Sequence, residues 1–345
     1  MFRSCHTLPA GILPAAKRRG KHMTRDLVLS ILKTRDGYIS GEQISRELGL
    51  TRAAVNLAVK SLRKEGYIIL SSTKKGYLLK SAPDRLTSGE LLTILGPERM
   101  RTVSVFDTVH STNRVLSELA YDSPTDGQIV IADAQTSGRG RFGRSFYSPD
   151  GSGIYLSFLF RPETPPASSV SVTAWTAVAV AKAVETVCGV HPGIKWVNDL
   201  ILGGKKFGGI LTEMSIEGES GRIRQIITGI GINVNNPSGS FPDELKESAT
   251  SLFAETGSVF SRAELACAII RELDLLRLAW PDRQAEYLEE YRARNITTGK
   301  TILLMDGSGR TAAAESIGDD FSLNIRFPDG SADTLTSGEI SIRQG

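Results

Sequence analysis

The sequence predicts a chain of the α/β (α+β) class, with a small basic winged helix-turn-helix ahead of a larger α/β body. Three observations point there. Charge is segregated along the chain, the first eighty residues hold short helical patterns ending in a hairpin, and the rest mixes strand-like apolar runs with one long apolar helix. A length of 345 residues suits two or three domains.

The net charge of +3 hides the segregation, since residues 1–23 carry +5, residues 24–80 carry +6 and the remainder −8. A basic front on an acidic body implies a polyanionic partner for the front. Cys5, Cys188 and Cys267 lie far apart without C-x-x-C spacing, and the four histidines are equally scattered. Reduced thiols in a cytoplasmic protein are therefore expected, with neither a disulfide framework nor a zinc site. The run from Val170 to Gly189 contains Lys182 and Glu185, so it reads as a buried helix and not as a membrane span.

Residues 1–23 lack an apolar stretch of signal-peptide length and contain Pro9 and Pro14. They read as a basic disordered extension, as sequence upstream of a start at Met23, or as an organelle presequence. Leu27, Val28, Ile31 and Leu32 recur at helical spacing over roughly 25–34. Ser40-Gly-Glu-Gln43 fits a capping box for a second helix, which stops at Gly49. Thr51 can cap a third helix with Ala54, Val55, Ala58, Val59 and Leu62 on its apolar face. That leaves Arg52, Asn56, Lys60 and Arg63 exposed, and YIILSSTKKGYLL then reads as strand, basic turn, strand. This is a winged helix-turn-helix pattern. Gly41, Arg52, Ala53, Asn56 and Lys60 are its candidate DNA contacts on the helices, and Lys74 and Lys75 on the wing can reach phosphates. A winged helix that contacts protein is the alternative. After Pro83 and Asp84, a helix bearing Leu91, Leu92 and Leu95 is expected to lead into the body.

In the body, TSGRGRFGRSF places Gly138, Gly140 and Gly143 at G-x-G-x-x-G spacing. A dinucleotide-binding turn must close a strand and open a helix. Gln128–Ala132 supplies a strand, but Pro149, Gly151 and Gly153 follow the glycines and Ile154–Phe160 is another strand. The loop therefore joins strand to strand, and no G-x-x-x-x-G-K-[ST] motif occurs. Arg139, Arg141 and Arg144 offer planar donor forks for carboxylate or phosphate oxygens; a solvated basic turn is the bland alternative. Gly193–Leu202 reads as one strand bearing Lys195, Gly203-Gly204 as a two-residue turn, and Lys206–Glu213 and Gln225–Asn235 as further strands of a largely antiparallel sheet.

The segments His110-Ser-Thr-Asn113, GRGRFGRSF, KWVNDL, KFGGILTE, GIGINVN and SGEIS resemble, in order, the motifs of the bifunctional biotin protein ligase and biotin operon repressor family, from about Thr24 to Arg343. The resemblance implies an extension over 1–23 and a winged helix-turn-helix over 24–82. It further implies a mixed-sheet catalytic domain like that of biotin and lipoate ligases over 83–295, and a small SH3-like β-barrel over 296–345. It implies that biotin and ATP-Mg²⁺ give biotinoyl-AMP and pyrophosphate, with no permanently bound cofactor. The biotinoyl group then passes to a lysine of a biotin carboxyl carrier protein. Biotinoyl-AMP would also act as corepressor, favouring a homodimer on operator DNA.

Carried onto this chain, the biotin site comprises Ser111, Thr112, Asn113, Gln135, Arg139, Gly140, Arg141 and Lys195. Lys195 and Arg141 are the catalytic cations, and Arg144, Phe146, Asn198, Asp199 and Asn233 face ATP, with Phe146 stacking on adenine. Ser111 could equally serve only as a helix N-cap. Two departures stand out: Val197 replaces the proline usual in KWPND, and Ser145-Phe146 replaces a Lys-Trp pair, which weakens the case for tight nucleotide binding. A ligase whose winged helix regulates no operator, a lipoate ligase, and a carboxylate-sensing transcription factor without ATP turnover are the competing readings.

Overall fold

Local end-signals decide the front of the chain. In this computed structural model, which describes residues 15–121, 124–163, 169–216 and 223–342 (15–23 and 216 by backbone alone), the first helix, α1, spans Ala15–Lys33. It begins ten residues ahead of the expected start, because nothing after Pro14 interrupts a helix. The rest of the expected extension, residues 1–14, lies outside the described residues. The chain divides into two units, residues up to 83 with 88–98, and residues 84–87 with 99 onward.

In the front unit α2 is Gly41–Leu48 and α3 is Arg52–Lys64. Ser40 Oγ accepts from Gln43 N at 3.1 Å and Gln43 Oε1 accepts from Ser40 N at 3.2 Å, which completes the capping box. Gly49 closes α2 in the left-handed conformation (φ 64°), and Thr51 Oγ1 caps α3 through Ala54 N. β1 (Ile68–Ser72) and β2 (Gly76–Ser81) form the hairpin. A Cβ on Gly76 would strike the backbone of Ile39 and Ser40, so only glycine lets the hairpin lean on the start of α2. Val28, Leu32, Ile44, Val55, Val59 and Leu62 fill the core.

The helix expected to lead into the body, α4 (Ser88–Met100), belongs to the front unit over its first turns. Its Glu90 is buried, ion-paired with Lys33 and accepting from Tyr67 Oη at 2.7 Å. A buried carboxylate needs such partners, and both stand in the front unit. Gly96 and Pro97 then kink the helix.

The body comprises β3 (Val103–Val109), α5 (Thr112–Leu119), β4 (Ile129–Gln135), β5 (Gly153–Phe160), α6 (Ser169–Cys188), β6 (Gly193–Lys195), β7 (Asp199–Leu202), β8 (Lys205–Ile216) and β9 (Ile223–Asn233). The strands form one mixed sheet in the order β3-β4-β5-β9-β8-β7-β6, parallel only between β3 and β4. On one face α5 packs Leu116 and Ala120 against Val130, Leu159 and Ile227. On the other lies α6, whose Thr173 bonds Thr212 of β8 at 2.8 Å. α6 has the length and apolarity of a membrane span but is core, with Trp175 stacked on Tyr287 at 3.8 Å. Three helices follow: α7 (Leu252–Thr256), α8 (Arg262–Ala279) and α9 (Gln284–Arg294).

The single strand expected over 193–202 is instead two, β6 and β7, folded antiparallel about Trp196–Asn198. Trp196 causes the break: its backbone N donates to Thr297 Oγ1 and its indole to Phe321 O, both at 2.9 Å, which draws the ring into the junction with the terminal strands. Those strands, β10 (Thr301–Leu304), β11 (Thr311–Ile317), β12 (Leu323–Arg326), β13 (Ala332–Leu335) and β14 (Ile340–Ile342), make an antiparallel sheet ordered β13-β12-β11-β10-β14. Arg262 at the start of α8 is fully buried, pairing with Asp84 at 2.8 Å and with Asp133 of β4.

Candidate functional site

Strand alternation puts Gly229 and Gly231 of β9, with Gly209 and Leu211 of β8, on the α5 face of the sheet. The two β9 glycines leave room that side chains would fill. A Cβ at Gly229 would collide with Asn113, and one at Gly231 would lie 2.6 Å from the Phe146 ring. Above this floor opens a cleft between the sheet and the glycine-arginine loop.

One end of the cleft is a hydrogen-bonded polar group. Thr112 N and Oγ1 both donate to Gln135 Oε1, at 2.9 and 3.1 Å. Gln135 Nε2 must then face away from Thr112, and it donates to Ser148 Oγ at 3.0 Å. Ser148 Oγ in turn donates to Phe146 O at 2.9 Å, tying the carboxamide to the base of the glycine-arginine loop. Asn113 Nδ2 donates to Glu213 Oε2 at 2.7 Å while its Oδ1 accepts from the fully buried Ser157 Oγ at 2.6 Å. Ser111 occupies the N-cap position of α5 but its hydroxyl makes no cap hydrogen bond, and it faces the cleft. The capping alternative for Ser111 therefore has no support here.

The loop joins β4 to β5, strand to strand. Phe146 N donates to Gly138 O at 2.9 Å and Gly140 N to Arg144 O at 2.7 Å, and Phe142 and Gly143 turn the tip at positive φ. Arg139, Gly140, Arg141 and Phe146 line the cleft, with Phe146 edge-on to Tyr155. Arg141 donates to Asn198 Oδ1 at 3.1 Å. Burial holds its guanidinium below the ordinary value, with the Asp199 and Glu339 carboxylates opposing that shift, and it remains a cation at neutral pH.

Of the expected residues, Ser111, Thr112, Asn113, Gln135, Arg139, Gly140, Arg141, Phe146 and Asn198 come together around the cleft. Lys195, Arg144, Asp199 and Asn233 do not line it. Lys195 stands on β6, at the sheet edge and two strands beyond β8, about 10 Å outboard by strand spacing. The lysine that lines the cleft is Lys206 of β8, paired with Asp199 Oδ1 at 2.6 Å. Arg144 points the other way, to Glu339 beside β14 at 2.5 Å. Asn233 braces the sheet by donating to Thr250 O at 3.0 Å.

Sequence reasoning also passed over Ser148, Ser157 and Glu213. Ser157 carried a signal, being the lone polar residue in the strand IYLSFLF. In the front unit Arg52, Ala53, Asn56, Lys60, Lys74 and Lys75 are exposed. Arg52 pairs with Glu42 at 2.7 Å, while Gly41 faces the Tyr77 ring. Arg63 is exposed, as expected, and also donates to Ile69 O and Ser71 Oγ, so it holds the hairpin. Among the described residues no cluster of three or more His, Cys, Asp or Glu is assembled to hold a metal.

The cleft thus suits a ligand with a hydrogen-bonding head, an apolar middle and an anionic tail meeting Lys206, Arg141 and Arg139. Comparisons agree with that chemistry. Residues 105–233 match the biotin/lipoate A/B protein ligase family, and residues 24–78 an HTH domain. The chain is 41% identical over 242 residues to the bifunctional ligase/repressor BirA of Bacillus spizizenii, covering 70% of this chain and 74% of that one. It is 30% identical over 324 residues to the bifunctional ligase/repressor BirA of Escherichia coli, covering 94% and 98%. A solved biotin protein ligase from Aquifex aeolicus in complex with biotin and ATP superposes with a TM-score of 0.61 at 27% identity, over 71% of this chain and all of that one.

Proposed function

The chain belongs to the bifunctional biotin protein ligase and repressor family, and on that premise we propose how its residues divide the work. It is an ATP-dependent biotin protein ligase with an N-terminal helix-turn-helix repressor domain. The observation that carries the site assignment is the polarity of the cleft, neutral and hydrogen-bonding at Thr112, Asn113 and Gln135 but cationic at Lys206 and Arg141. Biotin has the matching form, a ureido head, an apolar ring and chain, and a carboxylate.

A carboxylate is a poor acyl donor until a good leaving group is attached. The biotin carboxylate oxygen attacks the α-phosphorus of ATP, the bond to the β-phosphate oxygen breaks, and pyrophosphate leaves. Lys206 and Arg141 offset the charge that gathers on the carboxylate and α-phosphate, and Phe146 stands ready to stack on adenine. Mg²⁺ arrives with ATP as part of the substrate. Lys195, outboard of the cleft on β6, and Asn233, at the end of β9, are assigned to the polyphosphate side. The neutral ε-amine of an acceptor lysine on a biotin carboxyl carrier protein then attacks the acyl carbon and AMP departs.

The decisive assay incubates the protein with labelled biotin, ATP-Mg²⁺ and a carrier domain. Label on the carrier lysine is expected, and label from lipoate in its place would reassign the substrate. Ser148→Ala tests the head of the site. It strips Gln135 Nε2 of its partner, a loss of about 1–3 kcal/mol, so the KM for biotin should rise about tenfold with kcat nearly unchanged. An unaltered KM would separate Ser148 from the site.

The terminal strands form the small SH3-like domain in this reading, and the cytoplasm, where ATP and carboxylases meet, is the working compartment. Bound biotinoyl-AMP orders the glycine-arginine loop, favours a homodimer through the central sheet, and so sets two winged helices on a two-fold operator. Sedimentation with and without the adenylate tests this, and an unchanged monomer fraction defeats it. Lys74→Ala with Lys75→Ala should weaken binding to all duplexes alike and lower the log–log salt slope by roughly 1 for each phosphate no longer neutralised. An unaltered slope would remove the wing from the DNA.

A further inference from the structure

The outer face of α3 holds one side chain that phosphate binding does not explain. Val55, Ala58, Val59 and Leu62 bury the inner face. Opposite them Ala53, Leu57, Lys60 and Lys64 recur at spacings of three and four, all exposed, with Arg52 and Asn56 alongside. Leu57 is 61% exposed. A lone exposed leucine is ordinary on most surfaces. This one stands within a cationic face, and it is the only apolar side chain there larger than alanine.

The cations select a polyanion, and the leucine calls for an apolar spot on that polyanion. In the major groove of duplex DNA, which admits a helix such as α3, the base edges offer one such group, the C5-methyl of thymine. Asn56 adds an adjacent polar reader. Its Nδ2 donates to Tyr77 Oη at 3.2 Å, which fixes the carboxamide and leaves Oδ1 and the second amide hydrogen for a base edge. Glu42 is engaged by Arg52 and Arg63 by the hairpin, so neither side chain reaches across to cover the leucine.

We propose that Leu57, with Ala53 beside it, is a sequence-reading residue that packs on a thymine methyl in the major groove of the operator. The proposal deepens the repressor reading and rests on it. It differs from that reading in kind, because phosphate contacts set affinity and register whereas a methyl contact discriminates between bases.

The test uses the full chain loaded with biotinoyl-AMP and a duplex selected by it from a random pool. Each thymine is replaced in turn by deoxyuridine, which removes only the methyl, and Kd is measured at fixed salt for the wild type and for Leu57→Ala. One thymine per half-site should weaken the wild type about fourfold when replaced, the worth of one methyl withdrawn from water. Leu57→Ala should be indifferent at that position and respond like the wild type elsewhere, while Leu57→Met should keep the discrimination. Identical uracil profiles in wild type and Leu57→Ala, with binding retained, would overturn the methyl contact alone. Failure of the wild type to select any duplex would overturn the repressor reading and this proposal together.

Discussion

Lys206→Ala should lower biotin-dependent pyrophosphate–ATP exchange roughly 10²-fold or more, the scale of removing one preorganised donor from a developing anion. The size of the effect follows from position. Lys206 lines the cleft and carries its own counter-ion, Asp199, at 2.6 Å. Removing the lysine leaves that carboxylate without its partner just behind the cleft wall, so a repulsion on the incoming carboxylate and α-phosphate joins the lost attraction. Lys206→Arg keeps the charge and should retain more activity. Adding Asp199→Asn to Lys206→Ala should recover part of the loss, which separates the missing cation from the exposed anion. Lys195→Ala, on the edge strand, should cost less. The reverse ranking of the two lysines would return the principal role to Lys195.

Arg262→Ala should destabilise the body by about 3–5 kcal/mol, the usual consequence of removing one partner from a buried ion pair. Arg262 is fully buried and satisfies Asp84, Asp133 and the carbonyl of Gly153 together. Burial alone would lower its pKa, but the two carboxylates outweigh that and the guanidinium is held above its ordinary value. Without it two carboxylates face each other with no cation between them. For a unit of this size the midpoint of thermal unfolding should fall on the order of 10 °C, read by calorimetry. A shift of a degree or two would mean that water already solvates both carboxylates. Arg262→Ala with Asp133→Asn should lose less than the single variant, because one of the stranded charges is gone.

The front unit was legible in the sequence because its signals are local. A capping box spans four residues, the turn needs a left-handed glycine, and Gly49 and Thr51 sit where those rules put them. The loop between β4 and β5 was legible for a similar reason, since Pro149 and Gly151 forbid a helix after the glycines. Strand order is not local, and sequence patterns do not carry it. Lys195 and Lys206 are eleven positions apart, on strands of similar apolarity, and only the order β9-β8-β7-β6 decides which one reaches the cleft. The division of Gly193–Leu202 into two strands depended on Trp196 finding Phe321, 125 residues away. Ser148 and Glu213 were missed because single polar residues acquire meaning only from the partners the fold delivers, Gln135 across the loop and Asn113 a hundred residues away.

The indole of Trp196 ties the β6–β7 turn to the carbonyl of Phe321, and Glu339 holds a guanidinium of the loop. Recombination between homologous genes therefore meets a seam that does not separate cleanly. A chimera that takes its last fifty residues from another parent inherits a foreign seat for that indole and a foreign anchor for that arginine. Such hybrids survive only when both sides of the seam are exchanged together.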